Sequence, residues 1–198
     1  MAMLAHADQL GEAALELARF AHPDIDSASC LGYLENLAAR VEHPTALGLR
    51  RVIGIHEGIG GNVDDYYDPD NSLLNRVIER RRGIPITLSV IWIEVGRRAG
   101  VEVEGIGLPG HFLVRVGGSL VDPFHYGEEI GDDEAAALVA GTVGGPPQLG
   151  AVRLDPGWLA PVTAVEIISR MLRNLAGIYG ARGEAESLEW VTACADAL

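Results

Sequence analysis

The spacing of apolar residues changes once along this chain, near Gly100, and that change decides the class of fold. Before it, apolar residues recur every three or four positions, which is typical of amphipathic helices. After it, from Val101 to Phe124, apolar and polar residues alternate, which is typical of strands with one buried face. A block of helices followed by a block of strands predicts an α+β domain.

Five helices are predicted before Gly100, each from its apolar spacing and from a capping residue or a proline at its start. The predicted segments are a helix from about Ala7 to Ala21, a helix capped by Asp26 or Ser27, a helix from Pro44 to about Ile55, a helix capped by Asn71 or Ser72 and closed by Gly83, and a helix from Pro85 to Ala99. The last of these is apolar on all sides over its first turns, so we expect it to be buried in the middle of the domain. The polar loop Gly58 to Asp70 precedes the fourth helix, and loops of this length inside a compact domain are often functional.

Three strands are predicted after Gly100. The segment VEVEGIG alternates, HFLVRV and SLVDPF predict two further strands, and Gly117-Gly118 between these two is a two-residue hairpin signal. The acidic segment Glu128 to Ala140 predicts a weak helix, and Gly141 to Gly150 predicts a loop or lid. The sheet is therefore expected to be small and antiparallel.

The C-terminal segment, Pro161 to Leu198, has the pattern of a helical hairpin with a turn at Gly180 to Gly183. One such hairpin cannot bury both of its faces alone, so we expect it to pack on the rest of the chain or on a partner. We therefore predict a main domain over residues 1–160, which includes the N-terminal helices, and a helical hairpin over residues 161–198.

The charge of the chain excludes several classes of function. There are 28 acidic and 15 basic residues, every basic residue is arginine, and the formal net charge is -13. Nucleic-acid binders need a basic face that displaces counterions from phosphates, so we expect no nucleic-acid partner. A chain without lysine has no Schiff-base or P-loop lysine chemistry.

The remaining composition predicts a soluble, cytoplasmic protein with no membrane partner. Cys30 and Cys194 lie far apart in predicted helices, which favours free thiols in a reducing compartment over a disulfide. The N-terminal residues lack the basic and apolar regions of a signal peptide. The longest mostly apolar stretch, Ile84 to Val95, is too short to span a bilayer.

The predicted hairpin brings a histidine and a carboxylate together. If Gly117 and Gly118 are the turn residues, His111 lies opposite Phe124, and His111 and Asp122 are diagonal neighbours on one face of the sheet. Diagonal neighbours are roughly 7–8 Å apart at the backbone, within reach of an imidazole-carboxylate hydrogen bond. Such a pair is either the base and its orienting acid in a catalytic triad or a structural pair, and the spacing leaves both readings open.

The segment from Asn62 to Gly127 resembles the transglutaminase-like superfamily, in particular its bacterial SirB-type proteins. The resemblance rests on the loop YYDPDNS, the helix start RRGIPITLS, the strand LPGHFLVR and the strand DPF, which follow in the family's order. It implies a transglutaminase-like, papain-like core and a C-terminal hairpin similar to a tetratricopeptide-type unit. The superfamily places a Cys at the start of a buried helix and a His and an Asp on successive strands, which implies catalytic roles for His111 and Asp122.

This chain departs from the family pattern at the nucleophile. The position expected for the Cys falls on or beside Pro85, within Ile84-Pro85-Ile86, and none of these side chains is a nucleophile. Cys30 precedes the core and Cys194 lies in the tail, so neither is expected to substitute. Ser89 lies one helical turn after Pro85 on the same face and is a weaker alternative, because a helical serine commonly bonds the carbonyl four residues earlier.

Two further interpretations of the pocket remain open. His111 could act as a general acid or base without a covalent intermediate, helped by Glu57, Asn71 and Asn75. The pocket could also be retained only for binding, with an amide-bearing or peptide-like ligand as the class that the resemblance implies. In a different class of function, the chain would be a protein-interaction module that uses its hairpin or its acidic surface.

We expect no metal and no cofactor. The residues His56, Glu57, His111 and His125 lack the spacing of a zinc motif, and the aspartates of the loop Gly58 to Asp70 lack the spacing of a calcium loop. The Walker motif and the GxSxG motif do not occur.

Overall fold

A computed structural model of the chain describes residues 9–142 and 154–198. Most of the predicted loop or lid Gly141 to Gly150 lies outside the described residues. The helices are α1 (Leu10–Ala18), α2 (Ser27–Ala39), α3 (Ala46–Arg50), α4 (Leu74–Arg80), α5 (Pro85–Arg98), α6 (Asp132–Thr142), α7 (Ala164–Arg182) and α8 (Ala185–Asp196). The strands are β1 (Gly60–Gly61), β2 (Arg82–Gly83), β3 (Val103–Ile106), β4 (Leu113–Val116), β5 (Ser119–Asp122), β6 (Glu128–Ile130) and β7 (Pro161–Val162).

The second helix begins as predicted, whereas the third changes its winding. The Asp26 side chain accepts a hydrogen bond from the Ser29 amide and caps α2. After α3, residues Arg51–His56 form a π-helix rather than a continuing α-helix. Gly54 lies in this π-helix against the Tyr126 carbonyl oxygen, which would be 2.1 Å from a Cβ atom at position 54. The π-helix therefore brings its backbone next to the chain that follows β5.

The predicted ends of the fourth helix were wrong. Asn71 and Ser72 are buried in a 3-10 turn, and α4 begins after Leu73 without a side-chain cap. The helix ends at Arg81, which adopts a left-handed conformation with φ 58°. Gly83 belongs instead to β2, which pairs in parallel with β1. The loop before α4 is therefore joined to the end of α4 by the pairing of β1 with β2, which a helix-capping pattern in the sequence does not predict.

The helix α5 is buried in the middle of the molecule, as predicted. It begins at Pro85 and ends before Gly100, which has a positive φ of 71°. Trp92 on α5 is fully buried, and its ring would be 2.3 Å from a Cβ atom at Gly127. Glu94 is buried on the same helix, where it accepts a hydrogen bond from the Gly11 amide and pairs with Arg97 and Arg98. This carboxylate ties the start of α1 to the central helix.

A five-stranded antiparallel sheet packs on α5, in the order β6-β5-β4-β3-β7. Its central hairpin has the predicted register, because Val116 pairs with Ser119 and Val114 pairs with Val121 across a turn at Gly117 and Gly118. Both turn glycines have a positive φ, which a two-residue hairpin turn of this hand requires. The edge strands β6 and β7 were not predicted.

The C-terminal hairpin packs on the main body of the molecule. A capping box between Thr163 and Glu166 starts α7, and Gly183 ends it with a φ of 71°. The apolar face of α7 shares one core with the N-terminal helices and α5, and Phe20 stacks on Trp190 of α8 at 4.1 Å between ring centroids. The division into units 1–160 and 161–198 stays a prediction.

Across residues 9–142 and 154–198, no helix combines the length and apolarity that a membrane span requires.

Candidate functional site

The β4–β5 hairpin places His111 beside Asp122, as its register predicts. Nε2 of His111 lies 3.0 Å from Oδ2 of Asp122. The Asp122 side chain is only 1% exposed and the His111 side chain 10% exposed, so little water competes for this contact. Because a carboxylate only accepts hydrogen bonds, the His111 nitrogen that faces it carries the proton. The other ring nitrogen, Nδ1, has no hydrogen-bond partner among the described residues.

A second histidine shares the same carboxylate oxygen. Nδ1 of His125 lies 2.8 Å from Oδ2 of Asp122, and the His125 side chain is 56% exposed. The 3-10 turn Pro123–His125, which follows β5 directly, brings this ring back to Asp122. Sequence reasoning considered His125 only as a metal ligand. The available signal was the spacing of three residues from Asp122 after a proline, which a short 3-10 turn converts into proximity.

Asp122 is held in its ionised form. Burial opposes ionisation, but the hydrogen bond and electrostatic attraction of His111 and the hydrogen bonds from His125 and the Phe124 amide outweigh it, so the pKa of Asp122 lies below its ordinary value. Oδ1 accepts the hydrogen bond from the Phe124 amide at 2.9 Å. Both oxygens of the carboxylate are therefore engaged, one by the backbone and one by two imidazoles.

An arginine from the C-terminal hairpin fixes the backbone of His111. Nη2 of Arg170 on α7 donates hydrogen bonds of 2.8 Å to the carbonyl oxygens of Leu108 and His111. The guanidinium also lies over the Phe112 ring, 5.4 Å from its centroid. Burial lowers the pKa of Arg170 from its ordinary value, but the shift does not remove the charge of an arginine. The turn before His111 is thus anchored by a helix more than fifty residues away in the sequence.

Aromatic rings flank the histidine pair. The Phe124 ring lies edge-on to His111 at 6.2 Å and contacts Tyr66 at 5.9 Å between centroids. Tyr67 meets Tyr66 edge to face at 5.3 Å and is 74% exposed. Gly61 makes room for this cluster, since a Cβ atom there would be 2.5 Å from the Phe124 ring. The loop Gly58 to Asp70 therefore supplies an aromatic wall beside the candidate site.

The position expected for the nucleophile carries no reactive group. Pro85 is the first residue of α5, and Ile84 and Ile86 beside it are buried. The Ser89 hydroxyl donates a 2.9 Å hydrogen bond to the Pro85 carbonyl oxygen, so it is engaged within its own helix. The Thr87 hydroxyl is buried and has no hydrogen-bond partner among the described residues. The structure brings neither hydroxyl into a hydrogen bond with His111.

Neither cysteine is activated as a nucleophile. Cys30 and Cys194 are free thiols on α2 and α8. Burial and the nearby Asp26 raise the pKa of Cys30, and burial raises the pKa of Cys194. A raised pKa lowers the thiolate fraction, which is the reactive form.

The other predicted site residues serve the surrounding structure. Glu57 pairs with Arg40 and Arg81 and accepts a hydrogen bond from the Tyr33 hydroxyl; burial and this bond raise the pKa of Tyr33 to about 12. The pKa of Glu57 is lowered from its ordinary value, chiefly by the hydrogen bond from Arg40. Among the described residues, no hydrogen bond joins Glu57 to His111 or Asp122.

Asn71 and Asn75 also lie apart from the pair's hydrogen bonds. The Asn71 side chain donates to the carbonyl oxygens of Asp65 and Tyr66 and accepts from the Asn62 amide group, which holds the loop that carries Tyr66. Oδ1 of Asn75 is buried and has no partner among residues 9–142 and 154–198. Asn71 therefore affects the site only by holding the loop that carries Tyr66.

Within residues 9–142 and 154–198, no group of three His, Cys, Asp or Glu side chains is arranged to hold a metal ion.

Comparison with known proteins gives the family. The UPF0162 protein of Xylella fastidiosa (strain 9a5c) is 38% identical over 198 residues, which cover 92% of this chain and 68% of that protein. The UPF0162 protein of Pseudomonas aeruginosa is 29% identical over 88% of this chain and 66% of its own length. The chain thus spans about two thirds of the length of these relatives.

A shorter match reaches an animal protein. F-box only protein 21 of Mus musculus is 40% identical over 70 residues, which are 33% of this chain and 11% of that protein. No solved structure matches this chain. The family profile described as the transglutaminase-like superfamily matches residues 9–173, which include the central helix, the sheet and most of the residues around His111. The chain therefore belongs to the transglutaminase-like superfamily.

Proposed function

We propose that this chain is a cytoplasmic, SirB-type member of its superfamily that binds an amide-bearing or peptide-like ligand at His111 and performs acid-base chemistry without a covalent intermediate. The single observation that supports this most is the hydrogen bond from Nε2 of His111 to Asp122. It directs the protonated nitrogen to the carboxylate and leaves the lone pair of Nδ1 for a ligand. A histidine in this state accepts a proton or a hydrogen bond from an N–H or O–H group.

Asp122 supports the acid-base role electrostatically. Because the pKa of Asp122 is low, the carboxylate stays negative at neutral pH and stabilises the imidazolium that forms when Nδ1 takes up a proton. His125 shares Oδ2 from the exposed side and would contact the ligand before His111 does. The two imidazoles therefore offer one buried and one accessible nitrogen to the same ligand.

The lack of a nucleophile determines the type of chemistry that we propose. A thioester or acyl-enzyme intermediate needs a thiol or hydroxyl at the start of α5, where Ile84, Pro85 and Ile86 stand. Without it, His111 would activate a ligand hydroxyl or water, or would only hold the ligand. The ligand class comes from the resemblance to the family.

The proposal can be tested with N-acetyl-glutaminylglycine as the probe and N-acetyl-alanylglycine as its counterpart without the side-chain amide. We expect the glutamine probe to shift the imidazole NMR signals of His111 and His125, and His111→Gln to abolish binding and any release of ammonia. Glu189→Gln, which changes an exposed residue on α8, serves as the control. Absence of any shift with both probes, or equal effects of His111→Gln and Glu189→Gln, would overturn the proposal.

A further inference from the structure

A cavity of about 280 Å³ opens on the side of the molecule formed by the end of α2, α3 and the π-helix. It is lined by Arg40, Glu42, His43, Gly48, Arg51, Val52 and His56. The lining thus includes two arginines and two histidines but only one acidic residue, Glu42. This is a local excess of hydrogen-bond donors in a chain whose formal net charge is -13.

Arg51 stands out among the arginines of this acidic chain. Most described arginines pair with a carboxylate, and Arg82 and Arg170 donate to backbone carbonyl groups. In residues 9–142 and 154–198, only Arg51 and Arg173 have neither kind of partner. Because carboxylates are abundant on this surface, an arginine that lines a cavity and remains unpaired has its donors available for a ligand.

The walls of the cavity are fixed by the backbone. Gly48 lies so close to the His43 carbonyl oxygen that a Cβ atom there would be 1.9 Å from it, so only glycine allows this approach. Arg51 is the first and His56 the last residue of the π-helix, and π-helices are rare and occur frequently at functional sites. Val52, which follows Arg51 in the π-helix, is buried and adds an apolar side chain to the lining. The donors thus project from a constrained backbone.

We propose that this cavity binds the phosphate group of a small phosphate monoester. Guanidinium groups match phosphate oxygens with paired N–H donors, and donors that come from several side chains suit a group with three acceptor oxygens. A planar carboxylate would leave some of these donors without an acceptor. The volume exceeds that of a phosphate group, which leaves room for an organic substituent over Val52, and Glu42 adds an acceptor for a hydroxyl or amine of that substituent.

Arg40 and Arg51 play different parts in this site. Arg40 is already paired with Glu57, so only part of its guanidinium is free to face the ligand. Arg51 is exposed and has no ion-pair partner among the described residues. We therefore assign the main contact to Arg51, with the imidazoles of His43 and His56 as supporting donors.

The test uses inorganic phosphate and phenyl phosphate, with benzoate as the planar carboxylate, in NMR titrations of the complete chain at constant ionic strength. We expect saturable shifts of the amide signals of residues 40–56, with phenyl phosphate binding in roughly the millimolar range. Arg51→Gln should weaken phenyl phosphate about tenfold, the size expected for a charge-assisted hydrogen bond. The Arg51 side chain is exposed and has no hydrogen-bond or ion-pair partner among the described residues, so its replacement should leave the fold unchanged.

Arg173→Gln is the matched control, because it removes the same charge from the other unpaired arginine, which does not line the cavity. Equal weakening by Arg51→Gln and Arg173→Gln would mean a general charge effect and would overturn the proposal, as would the absence of saturable shifts. Equal affinity for benzoate would overturn the choice of phosphate. A second variant, His56→Gln, should also weaken binding, whereas His111→Gln should not, so this site and the His111 site can fail independently.

Discussion

Asp122 presents one carboxylate oxygen, Oδ2, to two imidazole rings that differ in exposure. His111 is held by this contact and by the backbone bonds of Arg170, whereas His125 is held only by Asp122 among its described hydrogen bonds. The carboxylate therefore orders the exposed ring as well as the buried one. Removing it would release both rings at once.

We expect Asp122→Asn to change how stability depends on pH. The pKa of Asp122 is lower in the folded protein than its ordinary value, so its contribution to stability is fully present above about pH 4 and is lost as pH falls through the folded pKa. The free energy of unfolding of the wild type, measured in urea, should fall more steeply below about pH 4 than that of Asp122→Asn. At neutral pH the variant should be less stable by about 1–3 kcal/mol.

Glu57 and Asp70 also have lowered pKa values, but both are unchanged in the variant, so the difference between the two curves reports Asp122. Parallel curves for the wild type and Asp122→Asn over the acidic range would show that this carboxylate has no favourable partner in the folded state.

Two glycines give opposite predictions for the same substitution. Gly54→Ala places a Cβ atom 2.1 Å from the Tyr126 carbonyl oxygen, so we expect a loss of at least about 1–3 kcal/mol in the free energy of unfolding. Gly32 lies inside α2 with open space around it, so Gly32→Ala should stabilise by about 0.5–1 kcal/mol. Thermal unfolding of the two variants measures the contrast, and a tolerated Gly54→Ala would mean that the π-helix and the Tyr126 turn do not pack as described.

At the scale of residues, the sequence predicts those contacts that a regular turn determines. His111 and Asp122 could be paired because a two-residue turn fixes the register of every residue beyond it. His125 and Tyr66 could not be placed at the site from the sequence, because a 3-10 turn and an irregular loop bring them there. Such segments have no periodic residue pattern that predicts the direction of a side chain. Glu57 is a carboxylate near the motif in sequence, but in the structure it pairs with Arg40 and Arg81, so a role for it beside His111 stays a prediction.

Among the elements, α7 acts on the site through Arg170. We expect Arg170→Met to leave the His111 carbonyl group without its donor and the Leu108 carbonyl group with only the His111 amide, which costs about 1–3 kcal/mol of stability and displaces the His111 ring. The imidazole NMR signals of His111 should shift, and Arg170→Lys should restore part of that shift because an ammonium group also donates. Arg173→Met on the same helix is the control. If both methionine variants lower stability equally and leave the His111 signals in place, Arg170 has no positioning role.

The errors at the scale of elements have a common physical cause. The Asn71 side chain matches a helix cap in the sequence, but in the structure its hydrogen bonds go to Asp65 and Tyr66 in the preceding loop. The strands β6 and β7 are short, and one is acidic and the other begins with Pro161, so neither has a strand pattern of its own. They are strands because β5 and β3 offer them an edge to pair with. Pairing between distant segments, rather than local preference, decides such cases.

At the scale of the whole molecule, the core is continuous from α1 to α7. Ile168, Met171 and Leu172 of α7 lie in the same cluster as Leu10 of α1 and Trp92 of α5. The hairpin therefore covers apolar surface of the central helix bundle and also supplies Arg170 to the site. An interaction role for this hairpin would have to use its outer face.

Deletion of residues 164–198 tests this continuity. We expect the shortened chain to lose cooperative thermal unfolding and near-ultraviolet circular dichroism, because it would expose the apolar surfaces that α7 buries. Replacement of exposed acidic residues on α8, such as Glu186 and Glu189 by Gln, should leave both signals intact. A shortened chain that unfolds cooperatively would instead support the division into two units at residue 160.

The contact between Trp92 and Gly127 places an optical reporter within the molecule. The indole is fully buried on the central helix and touches the backbone just after His125 and Tyr126. Changes in that turn when a ligand reaches the histidines would alter the environment of the indole and thus its fluorescence. Trp190 of the C-terminal hairpin stacks on Phe20, so replacing Trp190 by Phe would remove emission from a tryptophan outside this turn. Ligand binding could then be followed in solution without attaching a dye.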